Sequence, residues 1–400
     1  MYSQLHCGYY ECNGKIFITR QDMFDDMYTN KQYGKISYNF NDHVFKKLDW
    51  SIEPTQSLKE LYVQRCQQLR DTYDYLILSY SGGADSHEIL YTCLENNIFI
   101  DEIQVIHYEK ALLNFNRADL MNDVAVSQLL EYEMVVVPQL KIIKEKSPNT
   151  KISLLDASDF IVDDITSNSY NFMGMGKYHT NATFVTQTTP YARNFFQIHY
   201  NNKYLNKTNK TGFIRGCEKP QLGINKNGDL FFAFTDVSMN GVRLIQKKDV
   251  DEMFTFENFF WSPDAPFIPI KQSHVIKKAL ETDKYFYEAF VAAQNRSFIK
   301  TKSESREHDQ HQNFQRSYNR MIYYHWDNRM FVAPKHANES PEFNLVKMIT
   351  RNSAQTALDA LNEQNEFYFK KYDYIRNKQL ISKHIFGEPY VIGEINASWN

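Results

Sequence analysis

The stretch Tyr75-Leu76-Ile77-Leu78-Ser79-Tyr80-Ser81-Gly82-Gly83-Ala84-Asp85-Ser86 decides how the rest of this 400-residue chain is read. Tyr75 to Leu78 form a short apolar run between polar flanks, as in a strand buried on both faces of a parallel sheet. Beyond the turn, Ile89, Leu90, Cys93 and Leu94 recur at helical spacing. The stretch therefore reads as strand, glycine turn and helix. Gly82 and Gly83 permit backbone angles and close approach that a side chain would block, so several N–H groups can converge on one anion at the positive end of the helix. Such a turn suits phosphate.

Working outward, Ile103 to His107 and Tyr108 read as a second parallel strand, which makes a βαβ unit whose crossover is right-handed. His107 falls at the end of that strand, on the edge where open α/β sheets bind ligands. A helical pattern runs from Asn116 to about Lys146, broken or kinked at Pro138. Thr150 to Leu155 give a third strand, followed by Asp156, Asp159, Asp163 and Asp164, which read as helix caps and a solvated first turn or as a magnesium site. The stretch from Tyr170 to Tyr191 has no clean period and reads as a long loop leading into a helix. Thr211 to Arg215 form a fourth strand, with Gly216-Cys217-Glu218-Lys219-Pro220 as its loop. Arg215 and Lys219 bring positive charge to a strand end, one as a planar fork and one as a point charge.

Ser81-Gly82-Gly83-Ala84-Asp85-Ser86 resembles the S-G-G-x-D-S signature of the PP-loop ATP pyrophosphatase superfamily, and the chain as a whole is similar to uncharacterised PP-loop proteins of tailed phages. Neither G-x-x-x-x-G-K-[ST] nor G-x-G-x-x-G occurs. The resemblance implies an α/β fold, a three-layer sandwich around a parallel sheet, and binding of ATP with Mg²⁺. Substrate oxygen would attack the α phosphorus, giving AMP and pyrophosphate overall. It further implies that Ser79, Ser81, Gly82, Gly83, Ala84, Asp85 and Ser86 hold the nucleotide, with His107 near its adenine and ribose. Asp85 would position magnesium, and Arg215 and Lys219 would add charge across the cleft from Gly82 and Gly83. The acceptor would be a small molecule or a nucleobase, activated at a carboxylate or carbonyl oxygen for a nitrogen or sulfur nucleophile. Two alternatives keep the fold: a sulfonucleotide reductase-like enzyme, disfavoured because the last cysteine is Cys217, and a non-catalytic ATP-binding sensor or partner-binding protein.

Four hundred residues exceed one ordinary core. The expected units are 1–72, a hairpin around Asn13-Gly14 followed by a helix from about Ser57 to Thr72; 73–245, the ATP-binding unit; and 246–400, mainly helical. Residues 221 to 237 read as a further hairpin. The aromatic cluster of Phe254, Phe256, Phe259, Phe260 and Trp261 reads as a junction core, followed by a helix from about Gln272 to Thr282. Lys271, Gln272 and His274 are placed where they could face the site. Thr301 to Gln312 read as an exposed linker, and Ser340-Pro341 opens a helical stretch.

A net charge of −3 gives no general nucleic-acid footprint, although it leaves a local basic patch open. No run of eighteen apolar residues exists and the first residues lack a signal-peptide pattern, so a cytoplasmic protein with no membrane partner is expected. The five cysteines, Cys7, Cys12, Cys66, Cys93 and Cys217, form no C-x-x-C pair and are expected as free thiols.

Overall fold

Asn13 and Gly14, both at positive φ (51° and 73°), turn the chain between β1 (Tyr9–Cys12) and β2 (Lys15–Phe17), as a two-residue hairpin requires. The expected hairpin is therefore present, and β3 (Ile36–Asn39) adds to it on the free side of β1 to give an antiparallel order β2-β1-β3. The structure is a computed structural model and describes residues 7–17, 23, 26–27, 29–32, 34–107, 132–156, 209–216, 219–236, 254–298, 316–326, 385–397 and 399. The expectations for 116–131, Asp159, Asp163, Asp164, Tyr170 to Tyr200, Cys217, Glu218, the 301–312 linker and the helix after Pro341 lie outside the described residues.

A short helix, α1 (Asp42–Phe45), precedes α2 (Leu58–Thr72). The latter starts where a capping box forms: Ser57 Oγ accepts from the Glu60 N–H at 3.2 Å, and Glu60 Oε2 accepts from the Ser57 N–H at 2.7 Å. Its inner face is Leu58, Leu61, Tyr62, Arg65, Cys66 and Leu69. All but Arg65 are apolar or aromatic. That arginine is buried against Glu257, Nη2 to Oε2 at 2.7 Å.

The main sheet contains β4 (Tyr75–Ser79), β5 (Glu102–His107), β6 (Lys151–Asp156), β7 (Thr211–Arg215) and β10 (Phe254–Asn258), in the order β10-β7-β4-β5-β6. Every neighbouring pair is parallel. The fold class is thus α/β. Leu76, Ile77 and Leu78 are buried in succession, as a central parallel strand demands, each contributing about 1.5–3 kcal/mol by leaving water. Between β4 and β5 runs α3 (Ala84–Glu95). Before β6, a π-helical turn (Tyr132–Val136) passes into α4 (Val137–Lys146), with Pro138 in the first turn of α4. Proline there removes a donor that the start of a helix does not use, so the expected break appears as a change of helix type.

The sheet extends beyond residue 245, where the sequence reading closes the ATP-binding unit: its fifth strand is Phe254–Asn258. The aromatic residues after it, Phe259, Phe260 and Trp261, are fully buried. Phe259 and Phe260 pack on Tyr62, while Trp261 meets a second antiparallel sheet of β8 (Leu222–Ile224), β9 (Asp229–Phe232) and β11 (Tyr390–Glu394), in the order β11-β9-β8. Trp50 stacks on Phe232 at 4.9 Å and on Tyr390 at 4.4 Å, while Phe234 meets Trp261 edge-on at 5.3 Å. Residues from all three sequence regions therefore share one hydrophobic core. The helix expected from Gln272 begins earlier, as α5 (Phe267–Thr282), with Pro269 in its first turn, where a missing N–H leaves no intrahelical bond unmade. It is followed by α6 (Lys284–Phe298), a 3₁₀ turn (Arg316–Tyr318) and the single turn α7 (Asn319–Ile322). Among the described residues no helix is long and apolar enough to cross a membrane.

Candidate functional site

Counted in chain order, the parallel strands stand as 3-2-1-4-5, so the order reverses between the first, β4, and the fourth, β7. Such a reversal opens a crevice at the C-terminal ends of the two strands, because their connections leave in opposite directions. Ser79, Arg215 and Asn258 stand side by side in register at that edge. His107 ends the neighbouring strand β5.

The turn Ser81 to Ala84 enters this crevice. Gly82 has φ +81°, which a side chain resists. Gly83 is the N-cap of α3 and offers no side-chain cap. Among the described residues, two N–H groups of the turn meet long internal bonds, Gly83 N–H to Ser81 Oγ and Ser81 N–H to Ser86 Oγ, both 3.3 Å, with Ser81 Oγ and Ser86 Oγ 3.4 Å apart. Bonds at that length are weak, so an anion can displace them at little cost.

Gly216, the residue after β7, lies against the first turn of α3. A Cβ there would come within 2.8 Å of the Asp85 carbonyl carbon and of the Ser86 nitrogen. This approach brings the far side of the crevice to the glycine turn, and Lys219 completes it, its Nζ 3.1 Å from both carboxylate oxygens of Asp85. Tyr323, from the chain after α7, donates its hydroxyl hydrogen to Asp85 Oδ1. The Lys219 ammonium also lies 5.8 Å over the Tyr323 ring. Both members of the Asp85–Lys219 pair remain partly open to solvent.

Arg215 is buried, with Nη2 donating to Asn258 Oδ1 at 3.2 Å. Its buried Nε has no hydrogen-bond partner among the described residues. An N–H left without an acceptor in a buried guanidinium is costly, and the strand end that carries it borders the crevice. His107 is buried and stacks on Tyr132 with ring centroids 4.9 Å apart. Lys219 is therefore brought onto the glycine-turn helix itself, whereas Arg215 is held at the strand edge beside Asn258.

Three residues expected near the site are engaged elsewhere. Lys271 pairs with Glu53 at 2.6 Å, Gln272 donates to the Tyr62 hydroxyl at 2.9 Å, and His274 Nε2 lies 3.0 Å from the Trp50 carbonyl. All three serve the packing of α5. They face α2 and the N-terminal loops rather than the crevice.

The exposed side of α3 is covered by residues 322–326, for which the sequence reading assigned no role. His325 bridges two acids: its Nδ1 is 3.0 Å from Glu88 Oε2 and its Nε2 is 3.0 Å from Glu95 Oε2. Burial alone would lower the His325 pKa, but the bonds and charges of Glu88 and Glu95 outweigh it and leave the pKa raised. His87, beneath it, is driven the other way, down to about 4, by burial and then by the charge of His325. Its Nδ1 is 3.1 Å from the Tyr80 hydroxyl. The signal for this segment was present as Tyr323-Tyr324-His325-Trp326, a dense aromatic run in a polar neighbourhood.

Among the described residues no group of three or more His, Cys, Asp or Glu side chains could hold a metal ion. Comparison with protein-family models, with curated proteins and with solved structures finds no match to this chain.

Proposed function

We propose that this chain is an ATP pyrophosphatase of the PP-loop type, a ligase or transferase that forms AMP. The carrying observation is the meeting, at one topological switch point, of a glycine turn at a helix N-terminus with Lys219 and Arg215 from the opposite strand end. Weakly satisfied turn donors, a buried guanidinium N–H in want of an acceptor and a nearby ammonium together fit a polyphosphate. On this reading the helices complete a three-layer sandwich around the sheet, and His107 borders the adenosine.

In the reaction an oxygen of a carboxylate or carbonyl acceptor attacks the α phosphorus, and the bond to the bridging oxygen breaks. Pyrophosphate leaves into the turn. A nitrogen or sulfur nucleophile then displaces AMP from the activated carbon. The N–H groups of Gly82, Gly83 and Ala84 and the hydroxyls of Ser81 and Ser86 receive the charge that develops on the leaving group, with Lys219 and Arg215 as cations. Charge stabilised only in the transition state raises turnover rather than mere binding.

Asp85 alone does not make a protein cage for magnesium, since its carboxylate already holds Lys219 and Tyr323. It fits the usual arrangement in which magnesium arrives on the phosphates and takes one protein carboxylate. When bound, the ion would neutralise phosphate charge. The proposed acceptor is a small molecule or a nucleobase, and the proposed setting is the cytoplasm. The engagement of Asp85 also favours a second reading, a nucleotide sensor that binds ATP without turning it over.

Measurement of ATP binding, together with AMP and pyrophosphate release over a panel of carboxylate and nucleobase acceptors, tests these readings. Binding with turnover that Asp85→Ala abolishes is expected for the enzyme. Binding without turnover across the panel selects the sensor. Absence of ATP binding overturns both.

A further inference from the structure

We propose that Tyr323 is a positioning residue of the phosphate site: acting through Asp85, it sets how readily Lys219 is released to an arriving polyphosphate. The inference rests on the reading of the Ser81 to Ser86 turn as a phosphate site.

Tyr323 reaches the site from 238 residues away in sequence, and its hydroxyl hydrogen goes to the same carboxylate that holds Lys219. Little freedom is left to it. Its ring is 2% exposed and lies 5.2 Å from Phe260, its N–H donates to the Asn319 carbonyl at 2.9 Å, and the preceding carbonyl, of Ile322, accepts from the Tyr62 hydroxyl at 2.8 Å. Two residues on, His325 is gripped by Glu88 and Glu95. A hydroxyl held in this way costs little entropy to use.

The carboxylate of Asp85 is thus shared by an ammonium and a phenol. A polyphosphate draws on the charge of Lys219, and it can do so only at the expense of Asp85. The carboxylate left behind then stands beside added negative charge. Tyr323 stays with it, because a neutral hydroxyl has no comparable attraction to the phosphate, and its hydrogen bond compensates part of what the departing ammonium takes away. Without that hydroxyl, Asp85 depends on Lys219 alone and holds it back. The ring contributes in the same direction, offering its face to the ammonium on the way.

Calorimetric titration with inorganic pyrophosphate in the presence of a chelator, and with ATP plus Mg²⁺, tests this on the full chain and on Tyr323→Phe, Asp85→Asn and the double variant. Loss of the hydroxyl should weaken pyrophosphate binding on the order of tenfold, the size of one hydrogen bond to a charged group. Asp85→Asn should bind metal-free pyrophosphate more tightly than the unaltered chain, since nothing then competes for Lys219. In that background Tyr323→Phe should be silent, a coupling that a merely structural tyrosine would not produce. Equal losses in both backgrounds, or unchanged affinity in Tyr323→Phe, would overturn the proposal. If Tyr323→Phe folds poorly, Asp85→Asn decides alone, and affinity equal to or below that of the unaltered chain overturns it. Failure of the unaltered chain to bind pyrophosphate or ATP removes the phosphate site and this inference together, whereas binding with the wrong pattern among the variants removes only the inference.

Discussion

Alanine at Gly216 should damage the site far more than it damages the fold. The added Cβ would stand 2.8 Å from two backbone atoms of the α3 first turn, where the shortest ordinary contact is 3.4 Å. Backbone cannot rotate out of the way as a side-chain tip can, so β7 and α3 must part by about 0.6 Å, at an overpacking cost of roughly 1–3 kcal/mol. Gly216 lies three residues before Lys219 and its close approach is to Asp85 itself, so the shift acts on the elements that carry the Lys219–Asp85 pair. Since a misplacement of about 1 Å can cost a hundredfold in rate, Gly216→Ala should lower AMP formation roughly ten- to a hundredfold. Gly228→Ala is the matched control. Gly228 has φ +91° with no neighbouring atom within 4 Å, so alanine there costs about 1–2 kcal/mol of backbone strain without reaching the crevice. Thermal melts and AMP formation per folded molecule should therefore separate the two variants, both losing melting temperature and only Gly216→Ala losing turnover. Normal turnover in Gly216→Ala would refute the idea that this close approach assembles the site.

Arg215→Ala should depress turnover beyond its effect on the melting temperature and Arg215→Lys should recover only part of it, because lysine lacks the two-pronged geometry; a fall in stability alone, with turnover intact, would make Arg215 structural. His87 has a folded pKa of about 4 against an ordinary 6.5, so below pH 6.5 the unfolded chain binds a proton that the folded chain refuses. Stability should then fall as pH drops from 6.5 toward 4, by up to about 3 kcal/mol from this group, and denaturant melts of His87→Gln should show a shallower acid limb; an unchanged limb counts against it. Cys66 and Cys93 are buried with sulfurs 3.1 Å apart, and burial raises the Cys66 pKa well above its ordinary value, so iodoacetamide should spare both in the native protein and modify all five thiols after denaturation. A stable disulfide on non-reducing mass analysis would contradict the reading of free thiols.

The strand, turn and helix from Tyr75 to Glu95 were legible because each rests on local information: an apolar run, two glycines and a helical period. The same holds for the hairpin at Asn13-Gly14. Strand β10 was not, since Phe254-Thr255-Phe256-Glu257-Asn258 alternates apolar and polar residues like a half-exposed strand or an aromatic cluster, and only pairing with β7 makes it the edge of a parallel sheet. Strand β11 is distant from β9 by more than 150 residues and carries no turn signal that announces the pairing. Within the site, the placement of Lys219 near the glycine turn followed from one rule, that parallel strands deliver their C-terminal loops to a common edge. What that rule cannot supply is the partner. The loop motif implies a magnesium ligand at Asp85, and the structure shows its carboxylate as the counter-ion of Lys219, with Tyr323 alongside. Such a pairing is fixed by tertiary distance, which no window of sequence contains.

The span between Asp85 and Tyr323 also sets a timetable. With 238 residues between them and synthesis at about 5–20 residues per second, roughly 10–50 s separate the emergence of the glycine turn from that of the tyrosine. During that interval all five described parallel strands have been made, and Lys219 can already reach Asp85. The outer side of α3, however, still lacks His325, the partner of Glu88 and Glu95. At this stage Phe260 also lacks its contact with Tyr323, and the Tyr62 hydroxyl lacks its acceptor at Ile322. Completion of the crevice is therefore a late event on the ribosome, and a fragment ending at Asn258 would carry all five described parallel strands but neither the tyrosine nor the cover over their helix.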